Sequence, residues 1–246
     1  MRAVAAVLLL LGAGCGGGDD EKVAGTTPGP ETAPAATAAA AGCVAGKHSV
    51  TLENGGTALL RIGPGSGETR PAVLVALHGA GQSPADALEA FRGAWDERGL
   101  VVVAPQSKGE TWSILRQELD EDLESVNGAL AAVYERCDVD HTRVFVGGFS
   151  DGATYALTLA VANGDLFPAV IAFSPGGVDG GQPVGKTRVF VSHGTLDPIL
   201  PIETTGDAVV RRLREAGYRV TYHRFEGGHS VYPENSERAI RWLLDG

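Results

Sequence analysis

Arg143-Val144-Phe145-Val146-Gly147-Gly148-Phe149-Ser150-Asp151-Gly152-Ala153-Thr154-Tyr155-Ala156-Leu157 is the stretch on which the reading of this sequence turns. Arg143 to Val146 is rich in β-branched and aromatic residues, as in a buried strand, and Ala153 to Leu157 opens a helical pattern. Between them Gly148 and Gly152 bracket Phe149-Ser150-Asp151. A turn that runs from strand directly into helix is too tight for bulky side chains at the brackets. The pattern G-x-S-x-G therefore throws Ser150 out at the carboxyl end of the strand, with a helix N-terminus behind it. That makes Ser150 a candidate nucleophile.

Outward from this stretch, further short runs bounded by Gly or Pro read as strands: Ser49 to Leu52, Ala58 to Ile62, Ala72 to Leu77, Leu100 to Ala104, Ala169 to Phe173, Arg188 to Ser192 and Val220 to Phe225. The first two are spaced to pair as a hairpin through Asn54-Gly55-Gly56. The later runs are almost continuously apolar, as expected of strands covered on both faces, and they alternate with helical patterns, which implies parallel strands joined by crossover helices. Ser83-Pro84 opens a helix expected over Ala85 to Trp95. Leu119, Leu123, Val126, Leu130 and Val133 place one apolar stripe on the next helix, with Asp120, Glu121 and Glu124 toward water. Further helices are expected at about Ala153 to Ala162, about Thr205 to Ala216, and Pro233 to Leu244. The fold class is α/β, with a mostly parallel central sheet and helices on both faces.

A serine hydroxyl is a poor nucleophile until a base takes its proton, and the base in turn needs an acid to fix its tautomer and stabilise its charged form. In a strand-turn-helix setting of this kind the chain order is Ser, then Asp or Glu, then His. Downstream of Arg188 to Ser192 comes His193-Gly194-Thr195-Leu196-Asp197-Pro198, and downstream of Val220 to Phe225 comes Glu226-Gly227-Gly228-His229-Ser230. Asp197 and His229 thus each fall on a loop after a strand, and with Ser150 they form the expected catalytic set. Asp151 starts the helix beside the nucleophile and cannot reach the far side of an imidazole held by Ser150, so its side chain is expected to line the site or cap the helix. Leu77-His78-Gly79-Ala80-Gly81-Gln82 supplies an early loop, and the backbone N–H groups of Ala80 and Asp151 are the expected oxyanion donors. His78 and His193 are read as structural supports of their loops.

These residues make the chain resemble the α/β-hydrolase superfamily and, within it, the phospholipase/carboxylesterase group, close to polyhydroxybutyrate-depolymerase-like esterases. The resemblance covers about Ala72 to Leu244. It rests on LHGAG at 77–81, VAPQ at 103–106, DVDHTRVFVGGFSDGA at 138–153, VSHGTLDPILPI at 191–202 and EGGHS at 226–230. It implies the α/β-hydrolase fold and a serine hydrolase acting on carboxylic esters, with no cofactor and no metal. Asp151 with Ala153 departs from the Gln or Asn and third Gly common in the group. Pro175 to Lys186 is mostly Gly, Pro and polar residues, so no large lid is expected, and an open site points to short-chain or soluble esters. Trp112 is a candidate pocket wall for an acyl or aromatic group, the alternative being a core residue. Polyhydroxybutyrate, feruloyl and acetylxylan esters are alternative substrates. A non-catalytic envelope lipoprotein is the alternative from another class, but such proteins lose a member of the catalytic set and none is lost here.

The chain has 246 residues, 43% hydrophobic and 20% charged, with 35 Gly and a net charge of -10. This suits one globular domain, and the acidic field argues against nucleic-acid partners. Met1-Arg2 followed by the apolar run Ala3 to Leu11 and Gly12-Ala13-Gly14-Cys15 reads as a signal peptide over residues 1–14. The Cys after small residues resembles the lipobox of bacterial lipoproteins, with Gly12 as a departure. Cys15 is the expected lipidation site, and residues 15–46 a flexible linker to a catalytic domain at 47–246. The protein is then an anchored lipoprotein of the bacterial envelope, or secreted if Cys15 is not lipidated, with the lipid as its only membrane attachment. In an oxidising compartment Cys43 and Cys137 are free to form a disulfide, the alternative being two buried thiols.

Overall fold

The computed structural model describes residues 43–67, 70–94, 99–113, 121–178 and 184–245. The signal segment, Cys15, most of the linker, Trp95, Leu119 and Asp120 lie outside the described residues.

All eight strand-like runs form strands: β1 (Gly46–Thr51), β2 (Thr57–Ile62), β3 (Ala72–Leu77), β4 (Leu100–Pro105), β5 (Val144–Phe149), β6 (Ala169–Phe173), β7 (Arg188–Gly194) and β8 (Arg219–Phe225). They make one sheet in the order β1-β2-β4-β3-β5-β6-β7-β8. β1 pairs antiparallel with β2, and β2 with β4; every other pairing is parallel. The β1–β2 turn is Leu52 to Gly56, where the Gly56 N–H donates to Asn54 Oδ1 at 2.9 Å. This explains why Asn precedes the glycines: its side chain closes the turn.

Five helices cover the faces: α1 (Pro84–Ala90), α2 (Asp122–Arg136), α3 (Asp151–Ala162), α4 (Gly206–Glu215) and α5 (Pro233–Leu244). Alternation along a strand sorts its side chains between them. On β3, Val73, Val75 and Leu77 join the core beneath α2, α3 and α4, whereas Ala72, Leu74 and Ala76 join the one beneath α1 and α5. The α2 stripe is buried through Val126, Leu130 and Val133, and Glu121 and Glu124 are exposed.

Two expectations are corrected. The helix expected to Trp95 stops at Ala90 and is followed by a separate 3-10 turn at Arg92–Ala94. The cause is packing: a Cβ on Gly93 would lie 2.7 Å from the Glu237 nitrogen, and the Gly93 N–H donates to Ser236 Oγ at 3.1 Å. The chain breaks helix there to pass beneath the start of α5. Residues 43–46, assigned by composition to the linker, belong to the fold, because β1 begins at Gly46 and Cys43 is disulfide-bonded to Cys137 just past the end of α2.

Candidate active site

β5 ends at Phe149 and α3 begins at Asp151, so Ser150 alone makes the turn, with φ 55 and ψ -119. A non-glycine residue in that region costs on the order of 1–3 kcal/mol, held by its surroundings. Those surroundings are visible. The Ser150 N–H donates to Phe173 O at 2.9 Å, and its carbonyl accepts from the Ala153 and Thr154 N–H groups. Both bracketing glycines are steric requirements. A Cβ on Gly148 would sit 2.3 Å from Gly152 backbone, and one on Gly152 would sit 2.3 Å from Leu77 O.

The loops after β7 and β8 approach equally closely. Thr195 and Leu196 donate backbone N–H bonds to Phe225 O and Gly227 O, and a Cβ on Gly194 would be 2.3 Å from Gly227 O. This crossing sets Asp197 beside His229. Asp197 Oδ2 lies 2.6 Å from His229 Nδ1, and His229 Nε2 lies 2.9 Å from Ser150 Oγ. Nδ1 faces an acceptor-only carboxylate and so carries the proton, leaving Nε2 to accept from the serine hydroxyl. The Asp197 side chain is fully buried and that of His229 is 14% exposed, with the Phe149 ring 4.8 Å from the imidazole.

Burial by itself would raise the Asp197 pKa. The Leu200 N–H, the His229 side chain and the Ile199 N–H outweigh it and hold the carboxyl below its ordinary value. Oδ1 accepts from the Ile199 and Leu200 N–H groups at 2.9 Å each. The anion is thus fixed by backbone donors on one oxygen and by His229 on the other.

The early loop is braced from beneath. His78 is fully buried; its Nδ1 donates to Gly79 O at 2.8 Å, and its Nε2 accepts from the Ser107 N–H at 3.2 Å. It joins the loops after β3 and β4, and burial lowers its pKa, keeping it neutral. The Gly79 N–H is taken by Gln82 Oε1 and the Gly81 N–H by Glu110 O. The Ala80 N–H between them has no partner among the described residues. Asp151, as the first residue of α3, likewise has no intrahelical acceptor for its N–H.

Trp112 is not a pocket wall. It is fully buried, stacks on Tyr155 at 5.2 Å and donates its Nε1–H to His78 O at 2.8 Å, so its role is to hold the early loop. The Asp151 carboxylate accepts from Thr111 Oγ1 at 2.6 Å and lines a cleft of about 520 Å³ that also includes Thr154, Gly176 and Arg212. On the other side, a cleft of about 290 Å³ runs between Gln82, Phe149, His229, Tyr232 and Ser236. Sequence reasoning missed Asp122, which is fully buried and accepts the N–H groups of Lys108 and Ser113, tethering the loop that carries Thr111 and Trp112. It also missed the role of Gln82. Gln82 stood in the loop already singled out, but nothing distinguishes Asp122 from its acidic neighbours in the sequence. Among the described residues no group of three or more His, Cys, Asp or Glu is placed to hold a metal ion.

The fold is that of the α/β hydrolases, with the Ser150 turn, the Asp197 loop and the His229 loop meeting at the carboxyl edge of its sheet. The chain belongs to the phospholipase/carboxylesterase family, whose profile it matches over residues 106–244. It is 30% identical over 152 residues to a putative esterase, NocK, of Nocardia uniformis, covering 57% of this chain and 44% of that one. It is 30% identical over 168 residues to an acetylxylan esterase of Coprinopsis cinerea, covering 64% of this chain and 42% of the relative. The chain thus spans less than half the length of these two relatives. Among solved structures, the S-formylglutathione hydrolase from Agrobacterium tumefaciens superposes with a TM-score of 0.63 at 16% identity, over 81% of this chain and 94% of the other. That likeness speaks to the fold.

Proposed function

We propose that this protein hydrolyses carboxylic esters through Ser150, His229 and Asp197. The observation that carries the reading is the unbroken hydrogen-bond chain from Asp197 Oδ2 through both ring nitrogens of His229 to Ser150 Oγ. His229 Nε2 takes the hydroxyl proton as Oγ attacks the carbonyl carbon. The charge that develops on the carbonyl oxygen is met by the Ala80 N–H, which has no partner among the described residues, and the Asp151 N–H, which has no intrahelical acceptor. The imidazolium, stabilised by buried Asp197, then protonates the leaving alcohol, and an acyl-enzyme remains. Water attacks it with His229 again as base, and the acid departs. Family membership and the esterase relatives support the reaction class.

The clefts on either side of Ser150 suit short or soluble ester substrates. The test is the initial rate on p-nitrophenyl acetate, butyrate, octanoate and palmitate, with Ser150→Ala beside the wild type. The expected result is activity that falls with chain length and drops by at least about 10³-fold in the variant. Wild-type turnover in Ser150→Ala would overturn the proposal. The similarity to an acetylxylan esterase supports a second reading, in which the ester is an acetyl group on a polysaccharide. Release of acetate from acetylated xylan separates the two.

The N-terminal segment supports export and anchoring through lipidated Cys15. Loss of the protein from the membrane fraction on Cys15→Ala is the expected outcome, and retention there would count against it.

A further inference from the structure

His193 is the penultimate residue of β7, just before the Gly194–Leu200 turn, and its side chain is fully buried. Its Nε2 faces two acceptors at once, Leu200 O at 2.9 Å and Asp197 Oδ2 at 3.2 Å. Neither can donate, so Nε2 carries the proton, hydrogen-bonded to Leu200 O and in close contact with Asp197 Oδ2. Nδ1 is buried with no hydrogen-bond partner among the described residues, so protonating it as well would leave a buried donor unpaired. Burial accordingly lowers the His193 pKa, with the Leu200 carbonyl opposing. A Cβ on Gly206, the first residue of α4, would lie 2.5 Å from Nδ1, so the ring has no room to swing away.

Asp197 is therefore surrounded by donor groups: Ile199 and Leu200 N–H bond Oδ1, His229 Nδ1–H bonds Oδ2, and His193 Nε2 lies 3.2 Å from Oδ2. The two backbone bonds converge on Oδ1, so the placement of Oδ2 falls to the two imidazoles beside it. From these contacts we infer that His193 is a positioning residue for the reaction, a neutral clasp whose single N–H ties Asp197 Oδ2 and the end of the 194–200 turn to strand β7. It keeps Oδ2 aimed at His229 Nδ1 without adding charge to the site. The inference rests on the ester-hydrolase reading for its kinetic consequence, and its structural content stands apart from it.

The discriminating pair is His193→Asn and His193→Gln. The Gln amide reaches the position of Nε2, whereas the Asn amide ends near Nδ1 and falls short of Asp197. The expected result is a fall of about tenfold or more in kcat for the Asn variant with KM little changed, and kcat restored to within about threefold by Gln, with both variants melting cooperatively. A second readout needs no turnover: the proton resonance of His229 Nδ1–H in the full chain moves upfield in the Asn variant and returns in the Gln variant. Equal losses in both variants with an unmoved resonance would make His193 a support of the loop alone and overturn the clasp. So would wild-type kcat and resonance in a folded Asn variant. An inactive wild type whose resonance still responds to the Asn and Gln variants in the expected way would sink the ester-hydrolase reading and leave the clasp standing.

Discussion

Gly194 and Asp197 show how little latitude individual residues have at this site. A methyl group at Gly194 would strike Gly227 O at 2.3 Å, and the contact can be relieved only by moving the loop that carries His229. Gly194→Ala is therefore expected to lower kcat/KM on a short ester by about 10²-fold while the protein stays folded, because a displacement near one ångström suffices for that loss. Asp197→Asn keeps the volume but favours the wrong His229 tautomer, and kcat should fall by about 10⁴-fold. A variant within tenfold of wild type would mean that His229 does not depend on its partner. At this scale Ser150, Asp197 and His229 were legible because each follows a strand, in the chain order that goes with a strand-turn-helix nucleophile. Trp112 and Asp122 were not. An indole that walls a pocket and one that braces a loop look alike in sequence, and what separates them is the His78 carbonyl, 34 residues away in the chain, that accepts the Trp112 Nε1–H.

Helix α1 illustrates the same division among elements. Its start was legible: Ser83 caps it, Pro84 follows, and Ser83 and Asp86 form a reciprocal capping box. The Ser83 side chain and backbone hydrogen bonds hold the Asp86 carboxyl below its ordinary pKa. Ser83→Ala should lower stability by about 1 kcal/mol in urea unfolding, with ester turnover retained. A change near zero would show that packing of Ala87 and Leu88 alone holds the helix. Its end was not legible, because the break at Phe91 to Gly93 answers to α5, whose first turn lies more than a hundred residues downstream. Strands were better defined than helix ends throughout. An apolar run between glycines must be buried wherever it goes, whereas a helix terminus is set by what it meets.

For the molecule as a whole, the Cys43–Cys137 bond links the segment before β1 to the C-cap of α2, 94 residues apart in sequence. Closing so long a loop restricts the unfolded chain, and Cys43→Ser with Cys137→Ser is expected to cost about 2–4 kcal/mol in urea unfolding. Activity at room temperature should persist, because neither cysteine touches the Ser150 site. The buried histidines add a pH dependence. His78 and His193 both have pKa values lowered by burial from the ordinary 6.5. The unfolded chain thus takes up protons that the folded chain refuses, so the stability these groups contribute is present above 6.5 and is lost as pH falls below it. The urea midpoint should decrease between about pH 7.5 and about pH 5.5, and a flat profile would mean that these rings protonate in place. A further loss is expected below 3.8, where the lowered carboxyls of Asp86 and Asp197 stay charged in the fold while their unfolded counterparts take up protons.

The sequence by itself determined the eight strands, the parallel α/β plan and the three residues at the carboxyl edge, because hydrophobic periodicity, glycine brackets and chain order are local signals. Tertiary structure alone decided how those residues are held. The close approach of Gly194 to the His229 loop, the occupied N–H groups of Gly79 and Gly81 on either side of Ala80, the buried Asp122 tether and the His193 contact with Asp197 join residues on different strands and loops. Their energies depend on distances that no single stretch of chain can specify.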